Sequence, residues 1–126
     1  MIFLRKEEVL VYHARLIEKY GGIHGLRDEG ALESALAAPE NRSFYESAAA
    51  ATYAATYAFH LSQAHAFLDG NKRIAAAMAE LFLAGNDLQL TSSDEEMEAL
   101  ILGIATGQDT REEVELFFTQ RVTPLA

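Results

Sequence analysis

The sequence predicts an all-α, single-domain helical bundle of about six helices. Three observations predict it. Apolar residues recur at helical spacing through most of the chain. Capping residues and glycines punctuate that pattern at regular intervals. Almost no segment reads as a strand. A length of 126 residues suits one domain, residues 1–126. A domain of this size buries about two thirds of its unfolded surface, so it needs no cross-links to hold a core.

The first helix is expected over about residues 6–20, with Val9, His13, Leu16, Ile17 and Tyr20 on one stripe and Gly21-Gly22 stopping it. Three glycines in residues 21–25 mark a loop. Asp28 caps a short second helix reaching toward Leu36, which Pro39 is expected to limit. Residues 47–64 carry no formally charged side chain. Their Ser, Thr, His and Gln, and their many weakly apolar alanines, argue against a membrane span and for the buried centre of a bundle. A fourth helix begins near Asn71, turns Ile74, Met78, Leu81 and Phe82 inward, and ends at Gly85-Asn86. Leu88-Gln89-Leu90 is read as an extended link. Ser93 with Glu96 is a capping box for a fifth helix, with Met97, Leu100, Ile101 and Ile104 inward. Thr110 with Glu113 repeats the device for a sixth, with Val114, Phe117, Phe118 and Val122 inward.

Composition excludes several classes of function. No cysteine is present, so disulfides, thiolate metal sites and a Cys nucleophile are absent. That usage fits a reducing cytoplasm. The net charge of −9 repels a nucleic-acid backbone, so no direct nucleic-acid partner is expected. Arg5, Lys6, Glu7 and Glu8 interrupt any early apolar run, so no signal peptide is read. Residues 1–86 hold 10 acids and 8 bases, whereas residues 87–126 hold 9 acids and 2 bases. A solvated C-terminal face is the plain reading of that asymmetry. A docking face for a basic partner segment is the other.

Chemistry concentrates in residues 65–73, HAFLDGNKR, between the two central helices. Taken singly, each residue has an ordinary structural account: a hydrogen-bonded His, an N-capping Asp, surface cations. Lys72 and Arg73 together are harder to explain, because cations at a helix N-terminus oppose the helix dipole unless an anion binds there. With the free N–H groups of the first turn they form an anion cradle. Gly70 removes a side chain where a phosphate would approach the backbone. Asp69 supplies a hard oxygen ligand of the kind Mg²⁺ takes beside phosphate oxygens and water. His65 can accept a proton from an incoming hydroxyl. Phe67 points into the core as structural support of the loop. The set suits phosphoryl or nucleotidyl transfer. The segment is not a P-loop, since the upstream glycine and the Ser/Thr after Lys72 are missing. No HExxH or GxSxG occurs. His60 and His65 lie about 140° apart on a helix and do not share a face. His13 and His60 read as packed or surface residues, and His24 as a loop residue without a clear role.

His65, Phe67, Asp69, Gly70, Asn71 and Arg73 together resemble the signature of the Fic/Doc family, HxFx(D/E)(G/A)Nx(R/K). Residues Tyr20–Leu36 look like a second stretch shared by its death-on-curing (Doc) branch, and Ala105-Thr106-Gly107 like its C-terminal mark. The resemblance covers nearly the whole chain. It implies the Fic/Doc fold, with the active-site loop between two central helices. Fic members are AMP transferases with Gly at the position of Lys72 and a second Arg where this chain has Ala76. Doc members carry Lys, which implies that the nucleotide is reversed and the γ-phosphate transferred. The resemblance therefore implies a Doc-type toxin of a toxin–antitoxin system, a kinase that phosphorylates a translation elongation factor and arrests protein synthesis. His65 would be the catalytic base and Asp69 the Mg²⁺ ligand. Gly70, Asn71, Lys72 and Arg73 would bind the ATP phosphates, and Arg27 would contact the substrate or flap. An AMP transferase and a catalytically silent binding module are the alternatives.

Ala66, Ile74 and Ala77 depart from the common Pro, Thr and Asn. The (S/T)xxxE(G/N) run that restrains many Fic proteins is missing, since Glu96 follows Glu95 where Gly or Asn is needed. The resemblance thus implies restraint by a small antitoxin that folds onto the toxin. The cysteine-free composition and the character of residues 47–64 lead to the expectation of a cytoplasmic protein with no membrane partner.

Overall fold

The charge-free segment forms the axis of the molecule. In the computed structural model, which describes residues 1–126, helix α3 spans Ala50–Ala64, and ten of its residues are buried. Around it stand α1 (Lys6–Tyr20), α2 (Glu29–Ser43), α4 (Asn71–Gly85), α5 (Asp94–Ala105) and α6 (Arg111–Arg121). Helix α3 packs against α2, α4, α5 and α6. Its alanines at 50, 51, 54, 55 and 58 are all buried, so these neighbours approach a surface of methyl groups. Larger side chains fill the remaining space. Tyr57, Leu61, Ile74, Met78, Phe82 and Phe118 are almost completely enclosed. Each contributes about 1.5–3 kcal/mol relative to exposure. No helix is long and apolar enough to cross a membrane.

The predicted caps are present. The Asp28 carboxylate accepts from Ala31 N at 2.9 Å, and Ser93–Glu96 and Thr110–Glu113 both form reciprocal capping boxes. The N-terminal segment is sewn to the bundle. Leu4 N donates to the Tyr57 hydroxyl at 3.0 Å, Phe3 packs against Tyr53 and Phe82, and the Asn86 amide brackets the backbone of Ile2. Lys6 joins α1 to α2 through Glu29 and Glu33, at 2.6 and 3.0 Å.

Four expectations are corrected. Pro39 does not limit the second helix, because α2 continues through it to Ser43. Proline leaves the carbonyl one turn earlier without a donor. Pro39 is itself buried, and Arg42 anchors the following turn by bonding Thr56 on α3, Glu115 on α6 and Glu46. Tertiary contacts thus outweigh the local break. Leu88–Leu90 is not merely a link but strand β1, paired antiparallel with β2 (Val122–Pro124) in the register Leu88↔Pro124, Gln89↔Thr123, Leu90↔Val122. Val122 accordingly leaves the helical face assigned to it and joins that ribbon, half-buried. Thr123 precedes a proline, which favours extended backbone. Tyr20 also leaves its predicted stripe: it is 53% exposed at the end of α1.

Candidate active site

Helix α3 ends where the signature begins. His65 caps it in the left-handed region, φ 48° and ψ 44°, a conformation costing a non-glycine residue about 1–2 kcal/mol. That turn sends residues 66–68 alongside the glycine-rich loop that follows α1. Arg27 N and Asp28 N both donate to Ala66 O, at 2.7 and 3.0 Å, and Leu68 N donates to Gly25 O at 3.0 Å. Leu26 and Phe67 form an isolated antiparallel bridge. The loop from Gly21 to Asp28 is therefore a flap stitched to the signature segment by its backbone.

Phe67 is buried, and its ring stacks on His13 with centroids 3.7 Å apart and planes 11° apart. Its backbone is held by Asn71, whose Oδ1 accepts from Phe67 N at 3.0 Å and whose Nδ2 donates to Phe67 O at 2.9 Å. The Asn71 side chain is thereby committed to bracing the loop. What it offers an anion is its backbone N–H. Asp69 is held at three points. Its carbonyl accepts from His13 Nε2 at 2.8 Å, Oδ1 accepts from Gly70 N at 2.9 Å, and Oδ2 accepts from Ile23 N at 3.2 Å.

Two glycines are required by this geometry. Gly70 has φ 75°, and a Cβ there would lie 3.2 Å from Ile17 Cδ1. Gly22 has φ 120°, and a Cβ there would lie 2.7 Å from Asp69 Oδ2. The flap can approach the Asp69 carboxylate only without that side chain.

Helix α4 starts at Asn71 with Gly70 as N-cap and no side-chain cap. Its first three N–H groups have no acceptor within the helix. Helices α1, α2, α5 and α6 all carry carboxylates in their first turn. Helix α4 carries none and has Lys72 and Arg73 there instead. Both are exposed, and neither forms an ion pair. The Arg73 guanidinium lies 4.9 Å from the ring centroid of Tyr20, which steadies it without neutralising it. The positive potential of the helix end and two free cations thus coincide.

No group of three or more His, Asp or Glu side chains is arranged to hold a metal. Asp69 is the carboxylate of the loop, and each of its oxygens accepts a single N–H, which leaves lone pairs free on both. Such a donor set suits Mg²⁺, which takes one or two carboxylates and completes its shell with phosphate oxygens and water.

The family model described as the Fic/DOC family matches residues 3–83. The chain belongs to the Fic/DOC family. It is also 35% identical over 109 residues, covering 86% of each chain, to the Protein kinase doc of Escherichia phage P1. Together these mark the chain as a phosphotransferase of the Fic/DOC family. The resemblance read from HAFLDGNKR, and the six-helix all-α expectation, are both borne out.

Within this Fic/DOC chain, one loop and one helical turn bring together His65, Phe67, Asp69, Gly70, Asn71, Lys72 and Arg73. Arg27 sits on the flap with its backbone against Ala66 and its side chain exposed. Sequence reasoning missed three contributors: His13 beneath the loop, the Ile23 amide on Asp69, and Tyr20 under Arg73. For His13 a signal existed. A histidine on an apolar stripe is buried, and a buried ring nitrogen must find a partner. His24 bonds Glu18 at 2.6 Å, away from the signature. The other two contacts cross from α1 and its flap to the signature loop and α4, and no local pattern announces them.

Proposed function

We propose that the protein is a Doc-type toxin that transfers the γ-phosphate of ATP to a hydroxyl of a translation elongation factor and so arrests protein synthesis. The observation that carries this reading is the start of α4. Two unpaired cations and uncapped N–H groups face solvent there, beside an exposed carboxylate and an exposed imidazole.

His65 accepts the proton of the target hydroxyl. The hydroxyl oxygen bonds to the γ-phosphorus as the bond from that phosphorus to the β,γ-bridging oxygen breaks, and ADP departs. Lys72, Arg73 and the N–H groups of Asn71 to Arg73 stabilise negative charge on the transferring group. Asp69 would hold Mg²⁺, which neutralises phosphate charge when bound. The flap, with Arg27 on it, borders the approach of the protein substrate. Transfer of label from γ-labelled ATP to elongation factor tests the reading. Label arriving only from α-labelled ATP would overturn it.

AMP transfer is the second reading, and one observation favours it. One turn beyond Arg73 stands Ala77 in place of the common Asn, so a side-chain amide that would help hold the nucleotide in the γ-phosphate-transferring orientation is missing. The binding-module alternative makes a separate forecast: no label transfer from either nucleotide position.

The same reading includes a small antitoxin whose basic segment folds onto the acid-rich C-terminal third. The groove between α5 and α6 presents Asp109 beside Leu116 and Phe117, while Glu96 and Glu113 on its wall already accept from the Ser93 and Thr110 amides and Glu96 pairs with Arg121. A cytoplasmic location and the absence of direct nucleic-acid or membrane partners complete the proposal. Co-expression with the reading frame immediately upstream should relieve growth arrest.

A further inference from the structure

Beneath the signature loop, at the centre of α1, His13 is only 3% exposed, yet nothing in the chemistry above uses it. One face of its ring lies on Phe67, and its Nε2 lies 2.8 Å from the carbonyl oxygen of Asp69. A carbonyl can only accept, so Nε2 carries the proton and donates. A Cβ on Gly70 would come within 3.4 Å of that same nitrogen, so the imidazole sits directly under the Asp69–Gly70 peptide.

The peptide is planar and trans, so its C=O and N–H point opposite ways. Holding the carbonyl inward on His13 turns the Gly70 N–H outward, where it meets Asp69 Oδ1. One buried donor therefore sets the peptide plane, the peptide plane sets the carboxylate, and the following residues start α4. We propose that His13 is a positioning residue, fixing the Asp69 carboxylate and the first turn of α4 in the geometry that receives a metal-bound phosphate. The nucleotide half of this inference rests on the function proposed above. The loop half does not.

Two variants separate the donor from the packing. His13→Phe keeps an aromatic ring on Phe67 and loses the donor. His13→Gln keeps an N–H donor near the same height and loses the ring. Amide hydrogen exchange at Phe67, Leu68 and Ile74, compared with Tyr57 and Leu61 in α3, reads the loop against the core. Calorimetry with Mg-ATP reads the seat. His13→Phe should accelerate exchange selectively at these three amides, two in the loop and one in the first turn of α4, and weaken Mg-ATP by about 10–100-fold. His13→Gln should recover part of both losses.

Loop amides that change no more than α3 amides in His13→Phe would overturn the proposal. So would undiminished Mg-ATP affinity in that variant. Should His13→Phe not fold, His13→Gln decides: preferential protection of the loop amides supports the proposal, and loss equal to that in α3 overturns it. If the unsubstituted protein itself takes up no Mg-ATP, the nucleotide reading fails, and the exchange comparison still decides the role of His13.

Discussion

Asn71 closes a ring on Phe67: its side-chain amide both accepts from and donates to the backbone of a residue four positions earlier, at 3.0 and 2.9 Å. This pair holds the turn between α3 and α4 in shape, and it changes what the signature asparagine is for. Replacing it with Ala leaves a part-buried N–H and C=O without partners, which costs about 1–3 kcal/mol. Urea unfolding should show that loss. Asn71→Asp keeps an acceptor but loses the donor, so it should recover part of the stability. It also sets a negative charge beside the proposed phosphate seat, so it should not recover Mg-ATP binding. Recovery of both would mean that the amide acts only as a brace and the seat lies elsewhere.

His65 is exposed, and its ring makes no hydrogen bond within the chain. His65→Ala should therefore leave the unfolding temperature nearly unchanged while lowering transfer by about 10²–10⁴-fold. Labelled-phosphate transfer and a thermal melt on the same sample check both halves. An undiminished rate would remove His65 from the role of base.

Gly22 is the point of closest approach between flap and carboxylate. In Gly22→Ala the new methyl would meet Asp69 Oδ2 at 2.7 Å on a backbone with φ 120°. The flap must lift, and the bond from Ile23 N to Asp69 is lost. Strain of this type is worth about 1–3 kcal/mol. The expected signature is local: faster exchange of the Arg27, Asp28 and Leu68 amides, with the α3 core unaffected. Unchanged exchange at those amides would show that the flap does not depend on this approach.

Burial, and then the charges of Arg111 and Arg42, hold His60 below its ordinary 6.5. The folded protein keeps this imidazole neutral, while the unfolded chain protonates it more readily. Its contribution to stability is therefore fully present above the unfolded value near 6.5 and is lost as pH falls below it toward the lower folded value. Urea midpoints for wild type and His60→Gln should diverge least at acid pH and most near pH 7–8, if the neutral ring packs better than the amide. Parallel curves across that range would contradict the assignment.

Helix positions other than the end of α2, the caps at Asp28, Ser93 and Thr110, and the central place of the charge-free segment could be read from the chain, because each rests on residues within one or two turns. The signature, too, lies within nine consecutive residues. What local pattern could not supply is contact across distance. Leu88–Leu90 becomes a strand only because Val122–Pro124 lies beside it. Pro39 is tolerated in α2 only because Arg42 is anchored on α3 and α6. The support of the candidate site comes from His13, Tyr20 and Ile23, all more than 40 residues before the groups they touch. Asn71 shows a subtler limit: its place in the signature was evident, but the commitment of its side chain to Phe67 depends on how the loop turns.

The central claim is that the first turn of α4 seats a metal-bound phosphate. Calorimetric titration of Mg-ATP into the protein, repeated with Lys72→Ala and Arg73→Ala, addresses it most directly. The account predicts one site per chain, weakened about tenfold or more by either substitution, since each removes a charge-assisted contact. Binding that is indifferent to both substitutions, or no heat at all, would contradict it.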